Sequence, residues 1–410
     1  MSLLRRLLLF TFIESVGTIF IERGEMFLTK DVLHFSDTTN LWLALLFGAG
    51  YAAGSLSSHK VAQRVGEKRL VQACLAGQIV VCTAMGFLLD PVVIFVGSAL
   101  LAAMYGLKWA VTESYVSAGL DSRQTANVIG IFNITWSGAV PVALLPSGMI
   151  IRLWQPGLFY LPVFISLVSW WLMRPVPASP LHRELPEPNV ESRAVARRTA
   201  GLLAFSRWQL LGSYALLWIL AALTPGVFKR LGYDVRLQTV LAAILDTMRV
   251  AGFYLLYRTI RWHGRFGPLF AGMLLMPLGF ALVLLAPNVM AMLGGQAAVG
   301  TAVALGGEML YGLAAAMVYY AALYYAMVHT NAAVHGGGSH EGVIGLGFTL
   351  GPAAGLLGAA VASAVGGLTY GTLIVVAPLV AAGMIGSVRA YRATRAAAAG
   401  QPVARSSGNC

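Results

Sequence analysis

The chain has 410 residues, of which 58% are hydrophobic and only 11% are charged. A soluble protein of this size needs more charged side chains to cover its surface, so the composition excludes an ordinary soluble enzyme or binding module. A net charge of +12 would favour nucleic-acid binding in a soluble protein. In a membrane protein it is typical of the bias that orients the helices.

Twelve apolar runs, each about long enough to cross the hydrocarbon core of a bilayer, follow one another along the chain. Unpaired backbone amides are costly in lipid, so runs of this length indicate helices rather than strands. The first run lacks a small-residue cleavage site and is predicted to be a retained helix, not a signal peptide. The predicted helices are 6–28, 39–58, 69–89, 91–116, 125–150, 156–174, 208–229, 236–259, 266–286, 300–328, 341–363 and 368–388.

The apolar stretch from Val289 to Val328 is too long for one ordinary helix. A thirteenth span over 289–306 fits by length, but it would place the arginine-bearing end of the chain on the other side of the membrane. We prefer an extended or glycine-broken approach to the tenth helix.

Basic residues are unevenly divided between the loops. Twenty of the 28 lysines and arginines fall in loops on one side of the twelve-helix arrangement, six (including Arg23) fall on the other, and Lys108 and Arg249 lie within spans. Loops rich in lysine and arginine face the cytoplasm. We therefore predict a multi-pass protein of the inner (plasma) membrane with both termini in the cytoplasm.

One long polar segment divides the chain nearly in half. It is Pro-rich after Arg174 and becomes basic and potentially helical before Arg207. We predict an N-terminal six-helix bundle over 1–174, a cytoplasmic linker with a basic helix on the anionic membrane surface over 175–207, a C-terminal six-helix bundle over 208–390, and a disordered cytoplasmic tail over 391–410.

The two halves share short sequence segments at corresponding positions. Arg64-Val65-Gly66 follows the second helix, and Arg265-Phe266-Gly267 follows the eighth, 201 residues later. Residues 127–131 open the fifth helix, and the similar residues 342–346 open the eleventh. These matches indicate that the halves are pseudo-symmetric copies, which is one plan of membrane transporters.

Three segments carry a resemblance to the major facilitator superfamily over essentially the whole chain. Residues 54–69, with Gly54, Arg64 and Gly66, resemble the family's signature loop after the second helix. Residues 345–355 resemble a Gly-Pro-rich packing segment, and residues 132–138 resemble the fifth helix of poorly characterised bacterial members. The resemblance implies a twelve-helix fold, transport by alternating access, and a pathway lined by helices one, four, seven and ten.

A charge at mid-bilayer costs at least about 2.5–3.5 kcal/mol, so each charged residue within a predicted span is expected to have an ion-pair partner or a function. In the first helix one arc of roughly 80° carries five polar residues, with Arg23 opposite. Glu14 lies too deep to reach the headgroups and is predicted to face a cavity, whereas Glu22 and Glu25 could lie in either place. The arc is formed by Thr11, Glu14, Thr18, Glu22 and Glu25.

Further charges lie in the fourth, eighth and tenth helices. Lys108 either binds an anion or pairs with Glu14, and we favour the pair. Glu113 points elsewhere and is either functional or a partner for a cytoplasmic arginine. Asp246 and Arg249 are helical neighbours that form either a structural ion pair or a substrate or proton site. Glu308 is predicted near the outer mouth of a cavity.

Aromatic and polar side chains on the same helix faces complete the predicted site. They are cavity-lining candidates, although packing is the commoner role of such aromatic residues. This set consists of Thr18, Glu22, Tyr105, Thr112, Tyr214, Trp218 and Tyr319.

The stretch from His329 to Glu341 contains three histidines and a Gly-Gly-Gly turn. We predict a flexible cytoplasmic loop, with Ser339 capping the eleventh helix, rather than a metal site. No Walker loop, nucleophile elbow, zinc motif or dinucleotide fingerprint occurs, so neither a cofactor nor an enzymatic activity is expected.

These patterns predict a secondary active transporter for a small solute, with protons as the candidate coupling ion carried by Glu14, Asp246 or Glu308. We expect it to function as a monomer in the lipid bilayer and not to bind nucleic acid. The alternatives are a transporter-fold receptor or scaffold that does not transport and, less favoured, a membrane-embedded lipid enzyme.

Overall fold

A computed structural model describes residues 2–120, 122–180, 190–330 and 334–399. These residues form helices joined by short turns and contain no strand, which confirms the predicted all-α fold. The helices are α1 Leu3–Ile19, a π-helical segment Phe20–Gly24, α2 Glu25–Asp31, α3 Asp37–Val65, α4 Glu67–Leu88, α5 Pro91–Ser117, α6 Ser122–Leu153, α7 Gly157–Met173, α8 Val190–Arg230, α9 Val235–Arg258, a 3-10 turn Ile260–Trp262, α10 Gly267–Met292, α11 Ala297–Thr330, α12 Val334–Val365 and α13 Leu368–Ala399.

The predicted count of twelve spans is confirmed. Ten of the described helices are long and apolar enough to cross a membrane, and Gly157–Met173 is a shorter apolar helix. The first span is a single rod in which α1, the π-helical segment and α2 follow one another without a loop. The first six spans form one half of the molecule, and α8 to α13 form the other.

The region from residue 289 to 306 is not a separate span. Helix α10 continues to Met292, and α11 begins at Ala297. Between them Gly294 and Gly295 have φ angles of 79° and 77°, in the left-handed region that glycine adopts without steric cost. The apolar stretch is therefore the end of one helix, a tight turn and an early start of the next.

The predicted flexible loop before the eleventh span is wrong from residue 334 onward, because α12 begins there; residues 331–333 lie outside the described part of the chain. Ser339 is inside this helix and does not cap it. The glycines suit close packing: a Cβ added to Gly337 would lie 2.6 Å from the carbonyl oxygen of Ala110 in α5. Tertiary packing thus outweighs the low helix propensity of glycine.

Two predicted boundaries fall inside helices. Helix α8 begins at Val190 and passes residue 207 without a break, so the basic segment leads directly into the seventh span. Arg198 in this segment donates to the Gly264 carbonyl oxygen at 2.7 Å. Helix α13 continues to Ala399, so the predicted disordered tail is helical over 391–399, and residues 400–410 lie outside the described range.

The two halves meet closely along α3 and α12. A Cβ added to Gly345 would lie 2.6 Å from the backbone of Ala52, and one added to Gly48 would overlap the carbonyl group of Phe348. Small residues at helix crossings let backbones approach in membranes, where dispersion contacts replace the hydrophobic effect. This α3–α12 contact positions the aromatic ring of Phe348 at the centre of the molecule.

Gly48→Ala is expected to destabilise the folded protein by about 1–3 kcal/mol, because the new methyl group overlaps backbone that cannot rotate away. Thermal unfolding of the purified protein in detergent measures the effect. Gly138→Ala in α6 is the control, since a Cβ there meets no atom within 4 Å and should be neutral or stabilising by up to about 1 kcal/mol. Equal melting temperatures for the two variants would contradict the close α3–α12 contact.

Candidate functional site

A central cavity with a volume of about 90 Å³ lies between the two halves. Pockets that hold a small molecule are typically about 300–1,000 Å³, so this cavity has to widen before it can enclose one. Its wall comes from α1, the π-helical segment, α3, α5 and α6 on one side and from α8, α9, α11 and α12 on the other. The lining residues are Ser15, Thr18, Ile19, Glu22, Arg23, Tyr51, Trp109, Glu113, Phe132, Trp136, Tyr214, Leu217, Trp218, Arg249, Tyr319, Glu341, Ile344 and Phe348.

Aromatic rings form much of this wall. The Trp218 ring stacks on Phe348 with centroids 3.8 Å apart, and its indole N–H donates to the Ala44 carbonyl oxygen at 3.0 Å. Tyr214 packs edge-on against Phe348 at 5.3 Å. The hydrogen bond and the ring contacts fix the orientation of these side chains, so the cavity presents preformed aromatic faces.

A three-residue ion cluster joins the halves beside the cavity. The carboxylate of Asp246 accepts from Arg23 at 3.1 Å and from Arg249 at 2.6 Å. All three residues are at most 4% exposed, and the Arg249 guanidinium also lies 4.8 Å from the Trp136 ring centroid. We call Arg23, Asp246 and Arg249 the ion triad.

The second buried ion pair joins Lys108 in α5 to Glu14 in α1, as the sequence predicted. The Lys108 ammonium also lies over the rings of Tyr105 and Trp109, at 4.8 and 4.9 Å from their centroids. Neither Glu14 nor Lys108 is among the residues that line the cavity. Both charges are held inside the first half, where they connect two of its helices.

A group of acidic residues occupies the end of the cavity near the start of α12. Tyr51 donates a hydrogen bond to Glu341, and the Tyr319 hydroxyl lies 3.5 Å from a carboxylate oxygen of Glu113. In the described part of the chain, none of the salt bridges involves Glu22, Glu113 or Glu341. These three carboxylates therefore face the cavity without a directly bound lysine or arginine.

The π-helical segment explains why Arg23 was misplaced in the sequence analysis. A regular helix at 100° per residue puts Arg23 on the side opposite the polar arc that contains Glu22, and we assigned Arg23 to the outer side of the membrane. The π turn changes the angular spacing of the side chains, and both residues line the cavity. Single π turns inside α-helices occur frequently at functional sites.

The predicted site residues separate into two groups. Seven line the cavity: Thr18, Glu22, Glu113, Tyr214, Trp218, Arg249 and Tyr319. The others are buried beside it. The Thr112 hydroxyl donates a hydrogen bond to the Lys108 carbonyl oxygen of the same helix at 2.9 Å. Glu25 lies at the far end of the first span, where its carboxylate accepts a hydrogen bond from the Ser98 hydroxyl at 2.7 Å.

Glu308 is 1% exposed and, contrary to its predicted place at a cavity mouth, is not in the wall of the central cavity.

The signature-loop residues lie outside the cavity. Gly66 ends α3 with a φ of 88°, and Arg64 and Arg265 are exposed. In the second half the positive φ of 70° belongs to Gly264 rather than Gly267.

Sequence reasoning missed the cavity roles of Tyr51, Trp136, Glu341 and Phe348. Tyr51 and Phe348 lie on the second and eleventh spans, which were not expected to line the pathway. Glu341 was predicted only as the first residue of the helix 341–363, at the end of the stretch expected to form a flexible loop. An extension of the small-residue pattern backward from residue 341 would have placed residues 336–340 in the same helix, which begins at Val334.

Contacts join the halves on both sides of the cavity. At one end Arg230 pairs with Asp37 at 2.7 Å and Arg152 with Asp234 at 3.6 Å. At the other end Tyr320 donates to the Ala126 carbonyl oxygen at 3.0 Å, and Glu341 accepts from Tyr51. The first end is mainly ionic, whereas the second consists of hydrogen bonds and close glycine packing.

A sequence model of the Major Facilitator Superfamily matches residues 10–340. The chain belongs to this superfamily. A search among curated proteins found no match to the sequence. The major facilitator fold nevertheless extends over nearly the whole molecule, as solved structures show.

Three solved structures illustrate this likeness, each 13% identical in sequence. The nucleoside transporter NupG has a TM-score of 0.63, with 96% of this chain and 99% of NupG covered. A bacterial homologue of the human lysosomal transporter Spinster, inward-facing and unoccupied, has a TM-score of 0.61, with 96% of both chains covered. The human organic anion transporter MFSD10 has a TM-score of 0.59, with 95% of this chain and 100% of MFSD10 covered.

At this level of identity the likeness shows the shared fold. The family and its structural neighbours are membrane transporters, and this chain is accordingly a multi-pass membrane protein of the transporter type.

Proposed function

We propose that the chain is a secondary active transporter that moves a small amphipathic solute by alternating access and is coupled to protons. The central cavity carries this proposal, because it lies between two halves that contact each other at both of its ends. Opening one set of contacts while the other stays closed would expose the cavity to one side of the membrane at a time.

The chemistry of the wall indicates the class of solute. Preformed aromatic faces bind flat apolar groups, and an aromatic face also attracts a cation. The cavity carboxylates Glu22, Glu113 and Glu341 outnumber the arginines, Arg23 and Arg249, and both arginines are already bonded to Asp246. An organic cation or a zwitterion with an aromatic or apolar body fits this arrangement best.

The same cavity carboxylates are the best-placed proton carriers. Glu14 and Asp246 would each have to give up a buried ion pair to accept a proton, which is unfavourable when the counter-charge stays buried. Glu22, Glu113 and Glu341 have no such pair and face the solute. We therefore assign proton carriage to these three rather than to Glu14 or Asp246.

The wild-type protein in proteoliposomes is expected to accumulate its solute when a pH gradient is imposed and to stop when the gradient is dissipated. One pH unit supplies about 1.4 kcal/mol per proton, enough for about tenfold accumulation at one proton per solute. The measurement is uptake from a panel of amines, zwitterions and nucleosides. Glu341→Gln should bind the solute but only equilibrate it across the membrane.

Glu67→Gln, at the turn between α3 and α4, is the control and should accumulate solute like the wild type. Proton coupling is wrong if Glu22→Gln, Glu113→Gln and Glu341→Gln all keep the full accumulation ratio. Specific solute binding without flux in either direction would instead support the non-transporting receptor.

A further inference from the structure

Three side chains with metal-ligating atoms meet where α5 and α12 cross. One ligand atom from each of Glu113, His340 and Glu341 lies within 4.8 Å of the others. All three residues are at most 4% exposed. Glu113 belongs to the first half of the molecule, whereas His340 and Glu341 are consecutive residues of the second half.

Two of these atoms have no hydrogen-bond partner. Both ring nitrogens of His340 are buried and unbonded, and His340 is 0% exposed. A buried polar atom without a partner costs about 1–3 kcal/mol. The cluster therefore has unused capacity to bind a ligand, and a cation that accepts electron pairs from both oxygen and nitrogen would satisfy it.

We propose that Glu113, His340 and Glu341 form a binding site for a divalent transition-metal ion, with Zn²⁺ as the probe. One imidazole nitrogen with two carboxylates suits zinc and its neighbours, whereas magnesium and calcium prefer oxygen alone. Two carboxylates and a neutral imidazole also balance the charge of a divalent ion.

The geometry is compatible with such an ion after small side-chain rotations. Zinc bonds of about 2.0–2.2 Å place tetrahedral ligand atoms about 3.4 Å apart. The ligand atoms of Glu113, His340 and Glu341 lie within 4.8 Å of one another, so they need to move somewhat closer together. Three protein ligands leave one coordination position open. Glu113 and Glu341 line the central cavity, so an ion can reach the site from there.

An ion in this position links the two halves, because its ligands come from α5 and α12. The two helices are already close at this crossing, because a Cβ added to Gly337 would lie 2.6 Å from the Ala110 carbonyl oxygen. Binding would hold this end of the cavity closed. The inference concerns a cation site and does not depend on the proposed solute or on proton coupling.

Zinc binding to the full-length chain, purified without a polyhistidine tag and stripped with a chelator, is measured by isothermal titration calorimetry in detergent. The expected result is one ion per chain with a Kd on the order of 1 μM, which is about −8 kcal/mol. His340→Ala and Glu113→Gln should each weaken binding by on the order of tenfold or more.

Two variants serve as matched controls. His329→Ala removes an exposed histidine at the end of α11, and Glu308→Gln neutralises a buried carboxylate away from the cluster. Both should leave the affinity unchanged. The proposal is overturned if the wild type binds no zinc, or if His340→Ala binds it as tightly as His329→Ala does.

X-ray absorption of the zinc-loaded wild-type protein supplies a second measurement that needs no variant. The expected first shell contains one imidazole nitrogen and carboxylate oxygens at about 2.0–2.2 Å. A first shell without imidazole would overturn the assignment even if the His340→Ala variant fails to fold.

Discussion

Replacing Asp246 by alanine is expected to destabilise the folded protein by about 3–5 kcal/mol. Asp246 is fully buried and is the counter-charge of both Arg23 and Arg249. Its removal would leave two buried guanidinium groups facing each other without the carboxylate that is bonded to both. Because Arg23 belongs to the first half and Arg249 to the second, the repulsion would also separate the halves.

The effect is measured as the free energy of unfolding in mixed detergent micelles. Asp234→Ala is a matched control, since this aspartate also binds arginines, Arg236 at 2.7 Å and Arg152 at 3.6 Å, but at an exposed helix end. Hydrogen bonding from the Leu237 amide and the two arginines lower the pKa of Asp234, so it is ionised at neutral pH. Its loss should cost about 0.5–2 kcal/mol, as for an N-cap.

Equal losses in Asp246→Ala and Asp234→Ala would show that the ion triad is solvated rather than buried. A triple variant that replaces Arg23, Asp246 and Arg249 together by apolar residues should recover much of the stability, because no unpaired charge remains. Whether it transports would separate a structural role of the triad from a role in the solute cycle.

Replacing Lys108 by methionine is expected to destabilise the protein by about 3–5 kcal/mol, whereas the double variant with Glu14→Gln should recover most of that loss. Lys108 is 0% exposed and Glu14 is 1% exposed. The single substitution leaves the carboxylate in a low-dielectric environment without this counter-charge, and the double substitution neutralises both groups. Methionine keeps an unbranched side chain of similar volume against Tyr105 and Trp109.

Unfolding in the same micelles gives the interaction free energy as a double-mutant cycle. Lys30→Met is the control, because its partner Asp37 keeps a second cation, Arg230, at 2.7 Å. That substitution should cost about 1 kcal/mol or less. Strict additivity of Lys108→Met and Glu14→Gln would mean that their contact contributes nothing to the fold.

The molecule contains two kinds of buried charge. The ion triad and the Lys108–Glu14 pair are compensated, and their predicted effects are on stability. The cavity carboxylates Glu22, Glu113 and Glu341 have no bound lysine or arginine, and their predicted effects are on transport and ion binding. A charge inside the membrane is thus a functional candidate mainly when no ion pair accounts for it.

The sequence by itself determined the twelve spans and favoured the Lys108–Glu14 pair, whereas for Asp246 and Arg249 it left an ion pair and a substrate or proton site equally open. Span length and helix periodicity are local properties, and a buried charge restricts its partner to the few opposite charges at the same depth. Lys108 had one such candidate in a neighbouring helix. The seven predicted residues that do line the cavity were found because polar and aromatic side chains on one helix face avoid lipid.

Only the tertiary structure decided which charges share the cavity. Arg23 reaches Asp246 because a π turn shifts its direction, and hydrophobic periodicity at 100° per residue cannot show a single inserted residue. His340 and Glu341 lie in a helix because glycines let α12 approach α5, although those glycines favour a loop when the segment is isolated. Packing between the halves, which local sequence does not encode, made these residues neighbours.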